Sequence, residues 1–223
     1  MKDLSFLKSN FIAHKGVYNF EIPENTLPAF YKCVDKNYII ELDIHILNDK
    51  TIVVYHDFNL KRLTGKNKVI ETLSYAQLSK IKIKNKYTIP TLKQVIHIIS
   101  GKVPVIIEIK DVDNNSYFED ELVKILDNYS GRFAIQSTNP YVIDWFLRKR
   151  KNYIVGAVVL NDLNYKIFKK YISKVDFISI NKKSLPTKIN IKNKVLLGWT
   201  IDSLDEYKKY IKYCDNLICE KFI

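Results

Sequence analysis

The sequence predicts an α/β protein of the TIM (β/α)8 barrel class, from two observations. Apolar runs of strand length alternate with segments whose apolar residues recur at helical spacing, and the runs are apolar on both faces. Strands of this kind, each followed by a helix, form a parallel sheet covered by helices. A doubly wound open sheet is the alternative, but no G-x-G-x-x-G motif follows the first strand. The 223 residues fit a single domain, 1–223.

Eight core strands are predicted, and most of them are separated by a helical segment. Eight such units in a chain of 223 residues indicate a small closed barrel rather than a larger assembly. The strands are 11–14, 39–46, 103–110, 132–138, 154–160, 177–180, 194–201 and 216–221. The helices are 27–37, 92–100, 117–129, 140–151, 165–173 and 203–214.

Residues 47–90 are expected to form a small insertion between the second and third β/α units. The turn signal at 48–50 joins the second strand to another apolar strand. The remainder is polar and irregular in sequence, with one short helix expected at 74–81. The segment does not repeat the strand–helix pattern, so it is an excursion from the barrel.

The chain carries a formal net charge of +12, and a basic surface attracts phosphates, nucleic acid or anionic membranes. The excess is mostly Lys spread along the sequence, which is typical of a solvated surface. Three cysteines match no zinc-site spacing, which favours reduced thiols. There is neither a signal-peptide pattern nor a run of ~18 apolar residues, so we expect a cytoplasmic location and no membrane span.

Polar residues gather at the carboxyl ends of the predicted strands, where barrel enzymes place their chemistry. Glu41 and Asp43 lie two residues apart, so they point to the same side of the second strand, and Glu108 ends the third. Three carboxylates offer the oxygen ligands that Mg²⁺ or Ca²⁺ prefers. The alternative is that Glu41 and Asp43 pair with Lys or Arg in a structural network. The other polar strand ends include Gln136 and Glu220.

Two histidines accompany these carboxylates. His14 ends the first strand, and His56 ends the strand that follows the turn at 48–50. Histidine suits proton transfer near neutral pH because its unperturbed pKa lies there. His45, inside the second strand, fits a structural or a functional role, whereas His97 is expected to be an ordinary residue of its helix.

The order and spacing of seven short motifs over residues 12–110 resemble the glycerophosphodiester phosphodiesterase family. Each motif is short, and their specificity comes from their common register. Gly198-Trp199-Thr200 agrees more loosely in the later part of the chain. The motifs are His14-Lys15-Gly16, Pro23-Glu24-Asn25-Thr26, Glu41-Leu42-Asp43, His56-Asp57, Leu60-x-Arg62-x-Thr64-Gly65, Ile89-Pro90-Thr91-Leu92 and Glu108-x-Lys110.

This resemblance implies a TIM-barrel enzyme that hydrolyses glycerophosphodiesters to sn-glycerol 3-phosphate and an alcohol. By motif position, His14 and His56 correspond to the catalytic pair. The resemblance further implies a divalent cation, Mg²⁺ or Ca²⁺, on Glu41, Asp43 and Glu108, and substrate contacts from Lys15, Lys110 and Trp199. The expected partner is a small-molecule substrate.

One position departs from the family pattern, which usually has Arg where this chain has Lys15. Arg binds phosphate through a planar fork, whereas Lys is a point charge on a flexible stem, so substrate geometry is expected to differ. Two alternatives stay open. One is a related phospholipase D-type enzyme acting on lysophospholipids. The other is a non-catalytic nucleic-acid-binding module that uses the basic run 148–151, although we expect no nucleic-acid partner. The sequence leaves the oligomeric state open.

Overall fold

The computed structural model describes residues 2–110, 116–187 and 192–223. Strands and helices alternate along most of the chain, as expected from the sequence. The strands are β1 (Ile12–His14), β2 (Ile39–Ile46), β3 (Ile52–Val54), β4 (Lys82–Ile83), β5 (Tyr87–Thr88), β6 (Val105–Ile109), β7 (Phe133–Ser137), β8 (Ile154–Val159), β9 (Phe177–Asn181), β10 (Val195–Ile201) and β11 (Asn216–Cys219). The helices are α1 (Leu27–Asp35), α2 (Lys61–Thr64), α3 (Tyr75–Leu78), α4 (Leu92–Ile99), α5 (Tyr117–Leu126), α6 (Pro140–Lys149), α7 (Asp162–Ile172) and α8 (Leu204–Tyr210).

Eight parallel strands close into a barrel, which confirms the predicted fold class. β2 pairs with β6, the strands from β6 to β11 then pair in chain order, and β1 pairs with both β11 and β2. The register sets polar residues of neighbouring strands side by side: His14 opposite Glu41, Asp43 opposite Glu108, and Glu108 opposite Gln136. The carboxyl ends of β1, β2, β6 and β7 therefore meet around one point.

The barrel interior is apolar near the amino ends of the strands and polar near their carboxyl ends. A cluster that includes Ile12, Ile39, Ile106 and Ala134 fills the interior near the amino ends of the strands, together with Phe6 from the segment before β1. Side chains two positions further along a strand point to the same side. Each residue of the polar layer therefore lies two positions after a residue of the apolar layer on the same strand. The apolar layer fills the barrel beneath the polar layer.

Three of the covering helices, α4, α6 and α8, begin at side-chain caps that the sequence supplies. Thr91 and Gln94 form a reciprocal capping box at the start of α4, which satisfies two of the free backbone N–H groups there. Asn139 accepts a hydrogen bond from the N–H of Tyr141, and Pro140 occupies the first turn of α6. These caps fix the points at which the chain leaves the cavity face and enters the outer layer.

Residues 47–90 carry an apolar cluster of their own. β3 runs antiparallel to β2, and β4 and β5 form a separate hairpin. The sequence suggested an irregular segment because its apolar residues follow neither the helix nor the strand period. The cluster includes Leu47, Val53, Tyr55, Leu60, Ile70, Leu73, Leu78, Ile83 and Ile89. A segment with its own core holds a fixed shape beside the carboxyl end of β2.

No helix in the ranges given above is long and apolar enough to cross a membrane. Cys33, Cys214 and Cys219 are free thiols. Within the basic run 148–151, two side chains have acidic partners: Arg148 Nε lies 2.8 Å from Asp144 and Arg150 Nη2 lies 3.3 Å from Asp127.

Candidate active site

A cavity of about 350 Å³ opens at the carboxyl ends of the barrel strands. Seven of the eight residues singled out from the sequence line it. They are His14, Glu41, Asp43, His56, Glu108, Lys110 and Trp199. Lys15, the eighth, follows His14 in the chain and is not among the described residues that line the cavity.

Three carboxylates form a compact cluster at one end of the cavity. Glu41 and Asp43 come from β2 and Glu108 comes from the adjacent β6, and all three are buried. Their ligand oxygens lie within 4.8 Å of one another. They meet because Asp43 and Glu108 are register partners and Glu41 is one inward position earlier on β2.

Hydrogen-bond donors surround the cluster. The Lys110 ammonium contacts Asp43 Oδ1 at 3.1 Å and also contacts Glu108. Asn25 Nδ2 donates to Asp43 Oδ2 at 2.9 Å, and the backbone N–H of Lys15 donates to Glu41 Oε2 at 3.2 Å. Gln136 Nε2 lies 3.4 Å from both Glu41 and Glu108. The donors orient the carboxylates without neutralising them all.

The charges in this cluster do not balance. Among the described residues, one ammonium, that of Lys110, contacts the cluster of three carboxylates. Burial, and next the Asp43 carboxylate, raise the pKa of Glu41 well above its usual range. Burial, the largest single effect, opposes ionisation of Asp43, but Lys110 together with the further charges of His56, Lys15 and His14 holds the pKa of that carboxyl below its usual range. The pairing with Lys that the sequence left open therefore accounts for only part of the cluster.

The donor set fits a hard divalent cation. All three side chains offer carboxylate oxygens, which Mg²⁺ and Ca²⁺ prefer over nitrogen and sulfur ligands. A cation bound there would supply the positive charge that Lys110 alone does not. The raised pKa of Glu41 reflects the same lack of positive charge, because a buried carboxyl without a counter-charge retains its proton.

His14 is held by a carboxylate from the neighbouring strand end. Its Nδ1 lies 2.8 Å from Oε2 of Glu220, which also accepts a hydrogen bond from the Tyr18 hydroxyl. Burial, the largest single effect, disfavours the imidazolium, but the hydrogen bond to Glu220 and the nearby Glu41 and Asp43 carboxylates together outweigh it, so the pKa of His14 is raised. The contact with Glu220 engages Nδ1 and fixes the orientation of the ring.

His56 has an equivalent arrangement built from the insertion. Its Nδ1 lies 2.6 Å from Asp57 Oδ1, and Arg62 Nε donates to the other oxygen of Asp57 at 2.6 Å. Arg62 also donates two hydrogen bonds to Glu24, at 2.7 and 2.9 Å. The His56 ring is thus fixed through a chain of ion pairs that ends on the loop between β1 and α1.

Lys15 completes that chain of ion pairs. Its Nζ lies 3.3 Å from Glu24 Oε1, and the side chain is largely buried. Lys15 and Gly16 both adopt positive φ, +59° and +83°, which turns the chain sharply after β1. A Cβ at Gly16 would lie 3.0 Å from Cβ of Ala29, so the motif requires glycine there. This turn carries the Lys15 ammonium towards Glu24.

Sequence reasoning named several supporting residues without giving them a role. Glu24, Asn25, Asp57 and Arg62 lie within the sequence motifs, and Gln136 and Glu220 lie at strand ends. The two-residue period of a strand was the available signal for the last two. The inward apolar residues Ile12, Ile39, Ile106, Ala134 and Ile218 are followed two positions later by His14, Glu41, Glu108, Gln136 and Glu220.

His45 has a structural role. It is fully buried, its Nδ1 lies 3.0 Å from Glu71 Oε1, and its Nε2 lies 3.3 Å from the carbonyl oxygen of His56. The ring of Phe58 packs edge-on against it, with centroids 4.8 Å apart. His45 therefore ties the insertion to β2 and fixes the backbone that carries His56.

Comparisons with known proteins relate this chain to one enzyme family. Residues 14–214 match the model of the glycerophosphoryl diester phosphodiesterase family. A putative glycerophosphodiester phosphodiesterase of Bacillus subtilis is 32% identical over 127 residues, 53% of this chain and 52% of that protein. A lysophospholipase D of Mus musculus is 37% identical over 132 residues, 52% of this chain and 41% of that protein.

These matches extend over about half the length of the curated relatives. The fold match extends further: an Oleispira antarctica phosphodiesterase, solved in complex with sn-glycerol-3-phosphate, superposes with a TM-score of 0.83 at 19% identity. The superposition covers 96% of this chain and 93% of that one. Since the family model spans most of the sequence, the chain belongs to the glycerophosphoryl diester phosphodiesterase family.

Proposed function

We propose that the protein is a metal-dependent phosphoric diester hydrolase that converts glycerophosphodiesters to sn-glycerol 3-phosphate and an alcohol. The observation that carries this proposal is the pairing of two carboxylate-held histidines with an oxygen-donor cluster in one cavity. Family membership supports the same reaction. The partner is a small-molecule substrate.

Glu41, Asp43 and Glu108 would hold the divalent cation, Mg²⁺ or Ca²⁺. Bound there, it would offset the charge of the phosphodiester and of the transition state, which otherwise repels a nucleophile. Lys110 lies on the same side of the cavity and adds a second positive charge. Despite burial, Asp43 and Glu108 raise the pKa of Lys110, so the ammonium stays protonated for this task.

His14 and His56 divide the two proton transfers. One imidazole removes a proton from the attacking water or hydroxyl, and the other donates a proton to the leaving alkoxide, which is otherwise a very strong base. Glu220 and Asp57 hold the rings by Nδ1, so each histidine would exchange its proton at Nε2. The same two contacts prevent ring rotation, which shortens the search for a productive geometry.

Trp199 is proposed to contact the substrate in the cavity wall. Its indole N–H is buried and has no hydrogen-bond acceptor within the residues described. A buried donor without a partner is costly, and a substrate oxygen would satisfy it. Lys15 is proposed to act at one remove, through its charge and its ion pair with Glu24.

A second substrate class, the lysophospholipids, is favoured by the neutral side of the cavity. Val158, Leu160, Trp199 and Ile218 line that side. Apolar surface next to the phosphate position suits a substrate whose glycerol carries an acyl chain. The mouse relative named lysophospholipase D extends the same possibility to this chain.

The proposed reaction is tested by measuring turnover of glycerophosphocholine, glycerophosphoethanolamine, glycerophosphoglycerol and lysophosphatidylcholine, each with Mg²⁺, with Ca²⁺ and with chelator. We expect release of glycerol 3-phosphate from the first three substrates only when a divalent cation is present. Release of choline from lysophosphatidylcholine at a higher kcat/KM would move the assignment to the second class. Absence of turnover on all four substrates with either cation would contradict the proposal.

Replacing Lys15 tests whether its charge serves the phosphate. We expect Lys15→Arg to keep kcat/KM within a few-fold, and Lys15→Met to lower it by roughly tenfold or more, because a buried positive charge near the anionic substrate is lost. Steady-state kinetics on the best substrate supplies the measurement. Lys124→Met, at an exposed pair with Glu121 on α5, is the matched control. Unchanged kcat/KM in Lys15→Met would show that the charge of Lys15 does not reach the phosphate.

A cytoplasmic location is also proposed. Free thiols at Cys33, Cys214 and Cys219 support it, because reducing compartments preserve unpaired cysteines.

A further inference from the structure

Exposed apolar side chains concentrate on the face of the barrel where the cavity opens. The described residues include seven exposed large apolar side chains, and five of them follow the carboxyl end of a barrel strand or lie in the insertion. Phe20, in the loop after β1, is the extreme case at 91% exposed. The other four are Phe58, Val69, Leu160 and Leu204.

The same face carries a large share of the positive charge. Residues 47–90 contain nine Lys and Arg against three Asp and Glu, an excess of six in a chain whose net charge is +12. Half of the net charge thus lies in about a fifth of the sequence. Lys66, Lys68, Lys84 and Lys86 are exposed. This concentration differs from the even spread that a general lysine-rich composition predicts.

The apolar and basic groups are interleaved by local contacts. The N–H of Ile70 donates to the carbonyl of Phe58, and the N–H of Leu60 donates to that of Lys68, so Phe58 lies beside Lys68 and Val69. Lys84 donates to the carbonyl of Phe20, and its Nζ lies 4.6 Å from the centroid of the Phe20 ring. The hairpin of β4 and β5 is thereby joined to the loop after β1. We name Phe20, Phe58, Val69, Lys66, Lys68, Lys84 and Lys86 the rim surface.

The rim surface borders the cavity. Phe58 is two residues from His56, which lines the cavity, and its ring packs against His45. Leu160, partly exposed after β8, lines the neutral wall of the same cavity. Apolar surface therefore occurs both around the mouth and inside it.

We propose that the rim surface docks on an anionic phospholipid surface, with Phe20 and Phe58 entering the headgroup layer and the insertion lysines pairing with lipid phosphates. Aromatic side chains beside lysines suit this layer, because it offers apolar and anionic groups at the same depth. Large exposed apolar patches are rare on proteins that bind nothing there. Docking is independent of the reaction proposed above. Its consequence, delivery of lipid-borne phosphodiesters to the cavity mouth, rests on that proposed function.

Charge matching favours this partner over a neutral one. Each lysine close to an anionic bilayer strengthens binding by about fivefold, and the attraction falls off within a Debye length of ~8 Å at physiological salt. Duplex nucleic acid would pair with the lysines only. It would leave the exposed Phe20 and the apolar cavity wall without a partner.

The test measures co-sedimentation of the full chain with vesicles of phosphatidylglycerol and phosphatidylcholine, and with vesicles of phosphatidylcholine alone. The variant Lys66→Gln/Lys68→Gln/Lys86→Gln removes three charges from the rim surface. Its matched control, Lys102→Gln/Lys151→Gln/Lys174→Gln, removes three from exposed positions in loops before the amino ends of β6, β8 and β9. Both variants have the same net charge, so general electrostatics affects them equally.

We expect the wild type to bind the anionic vesicles, the rim variant to lose 10–100-fold in affinity, and the control to stay within about threefold. Phe20→Ser should weaken binding severalfold, whereas Tyr31→Ser, on α1, should not. Circular dichroism and turnover of soluble glycerophosphocholine report on folding and on the proposed reaction separately.

Equal losses in the two triple variants would overturn the proposal, because net charge alone would then explain binding. Binding to duplex DNA without binding to anionic vesicles would likewise overturn it and assign the rim surface to nucleic acid. Turnover of soluble glycerophosphocholine together with no vesicle binding would reject docking and leave the proposed hydrolase reaction intact.

Discussion

Replacing Glu41 with Gln, or Asp43 with Asn, should lower kcat on glycerophosphodiesters by on the order of 10³-fold or more. Each substitution removes a carboxylate from the cluster that is proposed to hold the divalent cation. A bound cation contributes several kcal/mol of charge stabilisation in a phosphoryl-transfer transition state, and about 1.4 kcal/mol corresponds to each factor of ten in rate. Excess chelator should cause a similar loss in the wild type.

Glu41→Gln should not weaken the fold in cation-free solution, whereas Asp43→Asn should, because it removes the carboxylate that the buried Lys110 ammonium contacts. Burial and, next, the Asp43 carboxylate raise the pKa of Glu41 above its ordinary value of 4.5. The folded chain then binds more protons than the unfolded chain above that pH, so stability falls as pH rises from about 4.5 towards the raised pKa. Gln at this position does not titrate, so we expect Glu41→Gln to reduce this pH dependence.

Thermal unfolding provides a measurement that does not depend on activity. Millimolar Mg²⁺ or Ca²⁺ should raise the Tm of the wild type, because a ligand that binds only the folded state stabilises it by mass action. Glu41→Gln and Asp43→Asn should show little response, and isothermal titration calorimetry should show weaker cation binding. Asp144→Asn, at an exposed pair with Arg148, is a matched control that should respond as the wild type does.

Full wild-type kcat in excess chelator would contradict the cation assignment. So would an equal rise in Tm with cation in the wild type and in Glu41→Gln. In either case the cluster would be a structural network centred on Lys110, whose ammonium already contacts Asp43 and Glu108.

The fold and the acidic cluster could be predicted because their signals are local. Two-residue periodicity within β2 places Glu41 and Asp43 on one side, and this needs no knowledge of the remaining chain. Strand alternation then predicts that Glu108, from the next parallel strand, ends at the same rim. These three carboxylates line one cavity as a result.

The supporting contacts could not be predicted because they depend on how the barrel closes. His14 and Glu220 are 206 residues apart in sequence, and they meet only through the pairing of β1 with β11. The contact between Arg62 and Glu24 depends on the apolar cluster of the insertion, whose spacing follows no regular period. The burial of Lys15 depends on a backbone turn with positive φ, and a lysine in the sequence does not indicate such a turn.

Replacing His14 or His56 with Ala should each lower kcat by roughly 10²–10⁴-fold, the usual contribution of one positioned proton-transfer group. Both rings line the cavity, and each is held through Nδ1 by a carboxylate. For the wild type, log kcat/KM should rise and fall with pH, and the two limbs report macroscopic values for the coupled groups. His97→Ala, on α4 and away from the cavity lining, is the matched control.

A change of leaving group separates the acid from the base. A glycerophosphodiester with a p-nitrophenol leaving group hardly requires protonation, because p-nitrophenoxide is a weak base. The variant that lacks the general acid should therefore regain most of its activity on this substrate, and the variant that lacks the general base should not. The comparison assigns each role to His14 or His56 without a structure of the complex.

Glu220→Gln links the role of His14 to its surroundings. The Glu220 carboxylate stabilises the His14 imidazolium and raises the pKa of His14, so a neutral amide should move the limb that reports His14 to lower pH. Asp144→Asn, which removes a carboxylate from the surface pair with Arg148 on α6, should leave that limb in place. Equal losses for His14→Ala and His56→Ala on both leaving groups would reject the division into acid and base. If Glu220→Gln keeps its fold and the limb does not shift, the titrating group is not His14. The histidines would then serve to position the substrate.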